Sequence, residues 1–141
     1  MVIRLLSPTL LLLSGILLSG RALAFEFPIE ITEYVDEVRI AAYINKEDID
    51  NNVKWTPFEG PPPLSIHEAL KAVQEFMMSD SNLTKSTLVE IELRQIPHHE
   101  KSWHYLVRVR YQTEDKIRSH FFLVLMDGKV ISAIREPESI K

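Results

Sequence analysis

Apolar and polar positions alternate with a period of two through Trp103–Tyr111. There Trp103, Tyr105, Val107, Val109 and Tyr111 interleave with His104, Leu106, Arg108 and Arg110. A strand sends successive side chains to opposite faces, so the pattern predicts a strand with one buried face. The alternation of Val89, Ile91 and Leu93 with Glu90, Glu92 and Arg94 predicts a strand before it, across a loop at Gln95–Lys101. The polar stretch Gln112–Arg118 turns the chain again into Phe121–Met126, a strand apolar on both faces. Asp127-Gly128 signals a tight hairpin into a fourth strand, Val130–Arg135, which Pro137 stops.

Upstream the period changes to that of a helix. Ser65-Ile66-His67-Glu68 has the form of a capping box, in which the serine oxygen accepts from the Glu68 amide and the carboxylate reaches back. Ile66, Ala69, Leu70, Val73, Phe76 and Met77 follow as one apolar stripe, with Glu68, Lys71, Gln74 and Glu75 on the wet side. Ser79–Asn82 ends the helix. Lys46–Pro63 reads as a loop, rich in turn formers and closed by the stiff Gly60-Pro61-Pro62-Pro63 connector. Within it, Trp55 and Phe58 either anchor the loop to the core or form a small aromatic binding patch. Phe25–Asn45 fits both helical spacing and a strand, with a strand near 37–44 preferred.

Symmetric closure of the two longer loops sets a register. Leu93, Ile91 and Val89 face Tyr105, Val107 and Val109; these in turn face Leu125, Leu123 and Phe121; and a two-residue turn at Asp127-Gly128 puts Val130 and Ser132 opposite Leu125 and Leu123. The helix should lie on that face. On the other, Glu90 meets Arg108, but Leu106, Phe122, Val124, Met126, Ile131 and Ala133 also point there, and an apolar second face needs a cover. The segment Ile31–Ile44 with Trp55 is the preferred cover; a second copy or a partner protein is the alternative. Leu106, Phe122, Val124, Ile131 and Trp55 are therefore the candidate binding surface. The expected fold is α+β, with one main helix on a four- to five-stranded antiparallel sheet.

Composition and charge narrow the function. Residues 1–24, MVIRLLSPTLLLLSGILLSGRALA, have the basic start, short apolar core and Ala22-Leu23-Ala24 site of a signal peptide, with an uncleaved anchor as the alternative. Residues 25–141 then form a single domain, an N-terminal segment and Pro-rich connector over 25–63 leading to a helix-on-sheet unit over 64–141. Loss of Arg4 and Arg21 takes the net charge from −4 to −6. An acidic chain with scattered charge argues against nucleic acid or an anionic membrane as partner. The chain holds no cysteine, so packing alone must stabilise it, which suits a bacterial periplasm or medium. The sequon Asn82-Leu83-Thr84 would matter only in a eukaryotic secretory route.

Little points to catalysis. His98-His99-Glu100 with His104 is the one cluster resembling a metal site, but adjacent histidines point apart in an extended chain and no HExxH occurs. His120 falls near Arg110 in the expected register, and His67 reads as a surface residue. There is no GxSxG, Ser65 serves as a cap, and Glu90 and Glu92 are neighboured by Arg108. No catalytic residue, metal or cofactor is expected.

Leu64–Leu70, Val89–Leu93, Trp103–Val107 and Phe122–Ile131 together resemble the PepSY-like domains of exported bacterial proteins. That family has an "s-x-x-E-A" helix start before strands reading "V-x-x-V-x-L", "Y-x-V" and "V-x-x-D-x-x-x-G-x-V". The likeness spans roughly residues 64–135; the tight Asp127-Gly128 turn and longer first hairpin depart from it, and a cystatin-like fold is comparable. It implies a non-catalytic exported module that restrains proteases or binds envelope proteins. Three functions follow as expectations: a binding module for an exported protein or peptide, accepting a strand at Thr87–Gln95 or Val130–Arg135; a homodimer burying Phe122, Val124 and Ile131; and, most remotely, a His-loop metal enzyme.

Overall fold

A computed structural model describes residues 26–81 and 83–136. The signal-peptide reading of residues 1–24, Asn82 of the sequon and the stop at Pro137 lie outside them. The chain opens with a β-hairpin, β1 (Ile29–Val35) and β2 (Val38–Ile44). Asp36 and Glu37 both take left-handed backbone, φ 51° and 64°, which matches a two-residue turn to the strands' twist. The stretch compatible with either helix or strand is thus strand on both sides of that turn. Lys46–Asn51 forms a short helix, α1, where a loop was expected. Asn45 and Asp48 make its capping box, a signal hidden among residues that also form turns. Buried Asp48 pairs with Lys129.

The remainder of the loop is pinned to the sheet. Buried Asn52 donates to the Trp103 carbonyl at 3.1 Å and accepts from the Met126 amide at 2.8 Å. Lys54 reaches the Ile49 carbonyl and the Ser102 hydroxyl. Trp55 packs edge-on against Trp103, ring centroids 5.4 Å apart, so it anchors the loop. Phe58, at φ 72°, is fully exposed.

Helix α2 (Ile66–Met77) carries the expected capping box: the Glu68 amide donates to Ser65 Oγ at 3.1 Å and the Ser65 amide to the Glu68 carboxylate at 2.8 Å. Four antiparallel strands follow in sequential order, β3 (Thr87–Gln95), β4 (Trp103–Gln112), β5 (Ile117–Leu125) and β6 (Val130–Ser132). Leu93 opposite Tyr105 and Ile91 opposite Val107 match the expected register, as does Glu90 opposite Arg108, an ion pair at 3.1 Å. A bulge at Val89 then brings Leu88, not Val89, opposite Val109.

The β4–β5 register differs by one residue from symmetric closure, and the β5–β6 register by one from a two-residue turn at Asp127-Gly128. The Thr113 amide bonds the Lys116 carbonyl at 2.9 Å, which closes a two-residue loop at Glu114-Asp115 and puts Val107 opposite Phe122, Tyr105 opposite Val124 and Val109 opposite His120. The second turn holds three residues, Met126-Asp127-Gly128, with Gly128 left-handed at φ 90°; the Leu125 amide donates to the Lys129 carbonyl and the Gly128 amide to the Leu125 carbonyl, both at 2.9 Å. It puts Val124 opposite Val130 and Phe122 opposite Ser132. A one-residue slip exchanges the two faces of a strand. Phe122, Val124 and Met126 therefore lie towards α2, with Ala69, Val73, Tyr105, Val107 and Val109. Phe121, Leu123 and Leu125 lie on the opposite face with Leu106.

That opposite face is covered from within the chain. β1 and β2 form a second antiparallel sheet with β7 (Ile134–Arg135), in the order β1–β2–β7. The last strand expected as one piece breaks at Ala133, whose amide bonds the Phe121 carbonyl at 3.1 Å, and its end crosses to pair Ile40 and Ala41. Ile31, Val35, Ile40, Ala42 and Ile44 press onto Leu106, Phe121, Leu123 and Leu125. The fold is α+β with two helices and two antiparallel sheets, so the expected single sheet of four to five strands is corrected to four plus three. Each wholly buried Phe, Leu or Ile in these two cores contributes about 1.5–3 kcal/mol.

Candidate functional site

The residues expected to form one binding surface are separated and withdrawn from it. Leu106, Phe122 and Val124 are fully buried, Leu106 between the sheets and the other two beneath α2. Ile131 is half-buried against the inter-sheet core, and Trp55 lies on Trp103, which belongs to the α2 side. The helix covers one face over β4–β6 and the N-terminal hairpin covers the other, which is where these residues are lost from the surface.

What remains open is the edge of β3. α2 packs mainly across β4, β5 and β6. Ala69 and Val73 are buried, and Phe76 meets Phe122 edge-on at 5.6 Å. Ile66 at the helix start is left exposed, although it belongs to the apolar stripe. Tyr105 Oη donates to the Leu64 carbonyl at 2.7 Å and holds the chain where it enters the helix. The result is a groove between α2 and β3. One cavity of about 470 Å³ is walled by Ile66, Ile91, Leu93, Tyr105 and the Pro61-Pro62 connector. A second, of about 560 Å³, continues along Leu70, Met77, Leu88 and Val109. His67, read as an ordinary surface residue, stands where the two meet.

The backbone of β3 complements the groove. The Ile96 amide bonds the Ser102 carbonyl at 2.8 Å, in line with the ladder that pairs Glu90 with Arg108. Bonded pairs alternate in an antiparallel ladder, so Glu90, Glu92 and Arg94 bond towards β4. The amides and carbonyls of Ile91, Leu93 and Gln95 then point outward, and among the described residues no strand pairs with them. Ile91 and Leu93 also turn their side chains into the groove. On the far face Arg94 and Arg108 both grip Glu33 of β1, at 2.5 and 2.9 Å, while Glu92 holds Arg94 at 2.7 Å. The Arg94 hydrogen bond holds the Glu92 carboxyl below its ordinary range. This network ties β3 to the N-terminal hairpin and stiffens the edge.

A polar pocket of about 650 Å³ lies elsewhere, lined by Asp80, Arg118, His120, Ser132 and Arg135 among others. His120 Nε2 lies 2.8 Å from Ser132 Oγ, a pairing that follows from the observed register and replaces the expected neighbourhood of Arg110. Burial, reinforced by Arg135 and opposed by Asp80, pushes His120 down to about 4. Such an imidazole is neutral near pH 7 but a weak base, so the contact satisfies the serine hydroxyl more than it activates it. His104 is fully buried. Among the described residues no group of three or more His, Cys, Asp or Glu side chains could hold a metal ion. No helix among them is long and apolar enough to cross a membrane.

The open edge was legible in sequence only as a possibility, since alternation locates β3 but does not say which of its sides is paired. Comparison with protein-family models, curated proteins and solved structures gives no match for this chain.

Proposed function

We propose that the protein is an exported, non-catalytic binding module that takes an extended segment of another protein onto the edge of β3. The observation that carries this reading is the coincidence, on Ile91 and Leu93, of an unpaired backbone with side chains turned into an apolar groove. Strand addition works in this way: main-chain bonds supply affinity and pockets for alternate side chains supply selectivity. The other expected acceptor, the final strand, supports it less, because β6 has three residues and β7 already pairs with β2. The likeness of residues 64–135 to PepSY-like domains agrees with such a role, restraint of an exported protease being one form of it. The apolar start of the chain supports a periplasmic or secreted location. Homodimerisation through Phe122, Val124 and Ile131 is supported less, because Phe122 and Val124 are fully buried and Ile131 is half-buried.

Leu93→Pro tests the reading. Proline is tolerated on an edge strand where its missing amide would face solvent. The variant should keep the parent's thermal midpoint to within a few degrees, since no ladder bond is lost. Peptides selected on the parent from a random library should shift the amide resonances of Ile91, Leu93 and Gln95. They should bind Leu93→Pro about tenfold more weakly, the cost of one lost hydrogen bond and its register. Selected peptides that bind parent and variant equally, and leave those resonances unmoved, would put the site elsewhere.

A further inference from the structure

The far face of β3 narrows the chemistry of the segment, given the strand-addition reading above. A strand laid on β3 points every second side chain into the α2–β3 groove, which Ile66, Ile91, Leu93 and Tyr105 make apolar. The intervening side chains lie on the opposite face, beside Glu90 and Glu92. Those carboxylates are 39% and 41% exposed, so they are reachable. They also belong to a cluster short of cations. Glu33, Glu90 and Glu92 share the guanidiniums of Arg94 and Arg108. One negative charge is left over, at the edge where the incoming strand arrives.

The same charges disfavour a second copy. Antiparallel pairing of β3 with itself about Ile91 sets Glu90 opposite the other copy's Glu92, twice; pairing about Glu92 sets that residue opposite itself, and the two Glu90–Arg94 pairs it also makes draw on an arginine already held by Glu33 and Glu92. Like charges directly opposite are destabilising. An offset that brings Glu92 opposite Arg94 leaves only the C-terminal half of the strand paired, and that arginine already serves Glu33 and Glu92. The bulge at Val89 twists the other half away from a flat edge. Self-pairing is discouraged while a complementary strand is not.

We infer that the segment bound by β3 alternates apolar residues with lysine or arginine. The apolar set fills the groove, and the basic set completes the Glu33–Glu90–Glu92 cluster. Selectivity then comes from a partner whose extended stretch has this two-sided character, in the way that charge complementarity sets register and rejects wrong partners.

Three short synthetic peptides test this against the full chain: alternating valine and lysine, alternating valine and glutamate, and the valine–lysine composition rearranged into two blocks. Affinity is read by anisotropy of labelled peptide, and site by the β3 amide resonances. The alternating valine–lysine peptide should bind about tenfold tighter than either control, and weaken as salt rises. Glu90→Lys with Glu92→Lys should transfer the preference to the valine–glutamate peptide. Equal binding of all three at the β3 amides would overturn the basic requirement and leave strand addition standing. Binding of none at those amides would overturn both. A concentration-dependent dimer with protected β3 amides would assign the edge to a second copy and overturn the inference.

Discussion

Acidification from pH 7 to about 4 should cost the fold on the order of 3 kcal/mol through His104 alone. The ring is fully buried on β4, and among the described residues neither nitrogen has a hydrogen-bond partner. Burial pushes it down to about 4 from an ordinary 6.5, against a weaker opposing effect of the Tyr105 backbone, with Arg94 adding to the fall. The folded state therefore holds a neutral imidazole where the unfolded chain takes up a proton. The contribution is complete above the unfolded value and disappears as pH drops through the window between 6.5 and 4. His120 shifts in the same direction and adds to the loss. Urea unfolding of the parent and of His104→Leu at neutral and acid pH checks the point. The leucine variant removes two orphan nitrogens at similar volume, so it should be at least as stable near pH 7 and should decline less with acid. A pH profile parallel to the parent's would show that His104 is not the group responsible.

Phe121→Ala should remove about 3–5 kcal/mol, a large part of the roughly 5–15 kcal/mol available to a small domain. Phe121 has no exposed surface and sits between the sheets. Ile117→Ala, on the same strand but 62% exposed, should change stability by no more than about 0.5 kcal/mol. Sidedness can be read by double-mutant cycles. Phe121 should couple to Ile40 of β2, which shares its core, by about 0.5 kcal/mol or more, and should be additive with Val73 of α2, which lies in the other core. Coupling to Val73 instead would mean that the symmetric register is the true one.

That register marks where the sequence stops being informative. Alternation placed β3 and β4 and the ends of both, and Leu93 opposite Tyr105 and Ile91 opposite Val107 followed from the loop between them. β5 is apolar on both faces, so its own pattern cannot say which residues turn to the helix. Only the turn could decide, and a loop of two residues at Glu114-Asp115 moves the pairing by one from that of a loop centred on Asp115. The same holds at Gly128, where a left-handed glycine closes a three-residue loop. The need for a cover on the second face was legible, because Leu106 and an all-apolar β5 demand burial. That Ile31–Ile44 supplies it was the preferred expectation, and β1 and β2 do so; that Trp55 docks on the opposite side was not legible. The candidate site escaped for a related reason. Exposure of β3 depends on where α2 comes to rest, and the Tyr105–Leu64 contact that sets this joins residues far apart in the chain.

Hydrogen exchange along β3 in the free protein tests the open edge most directly. The amides of Glu90, Glu92 and Arg94 should be protected by β4, and those of Ile91, Leu93 and Gln95 should exchange as solvent-facing groups. Protection of all six would mean that the outer side of the strand is already occupied, and would contradict the role assigned to it.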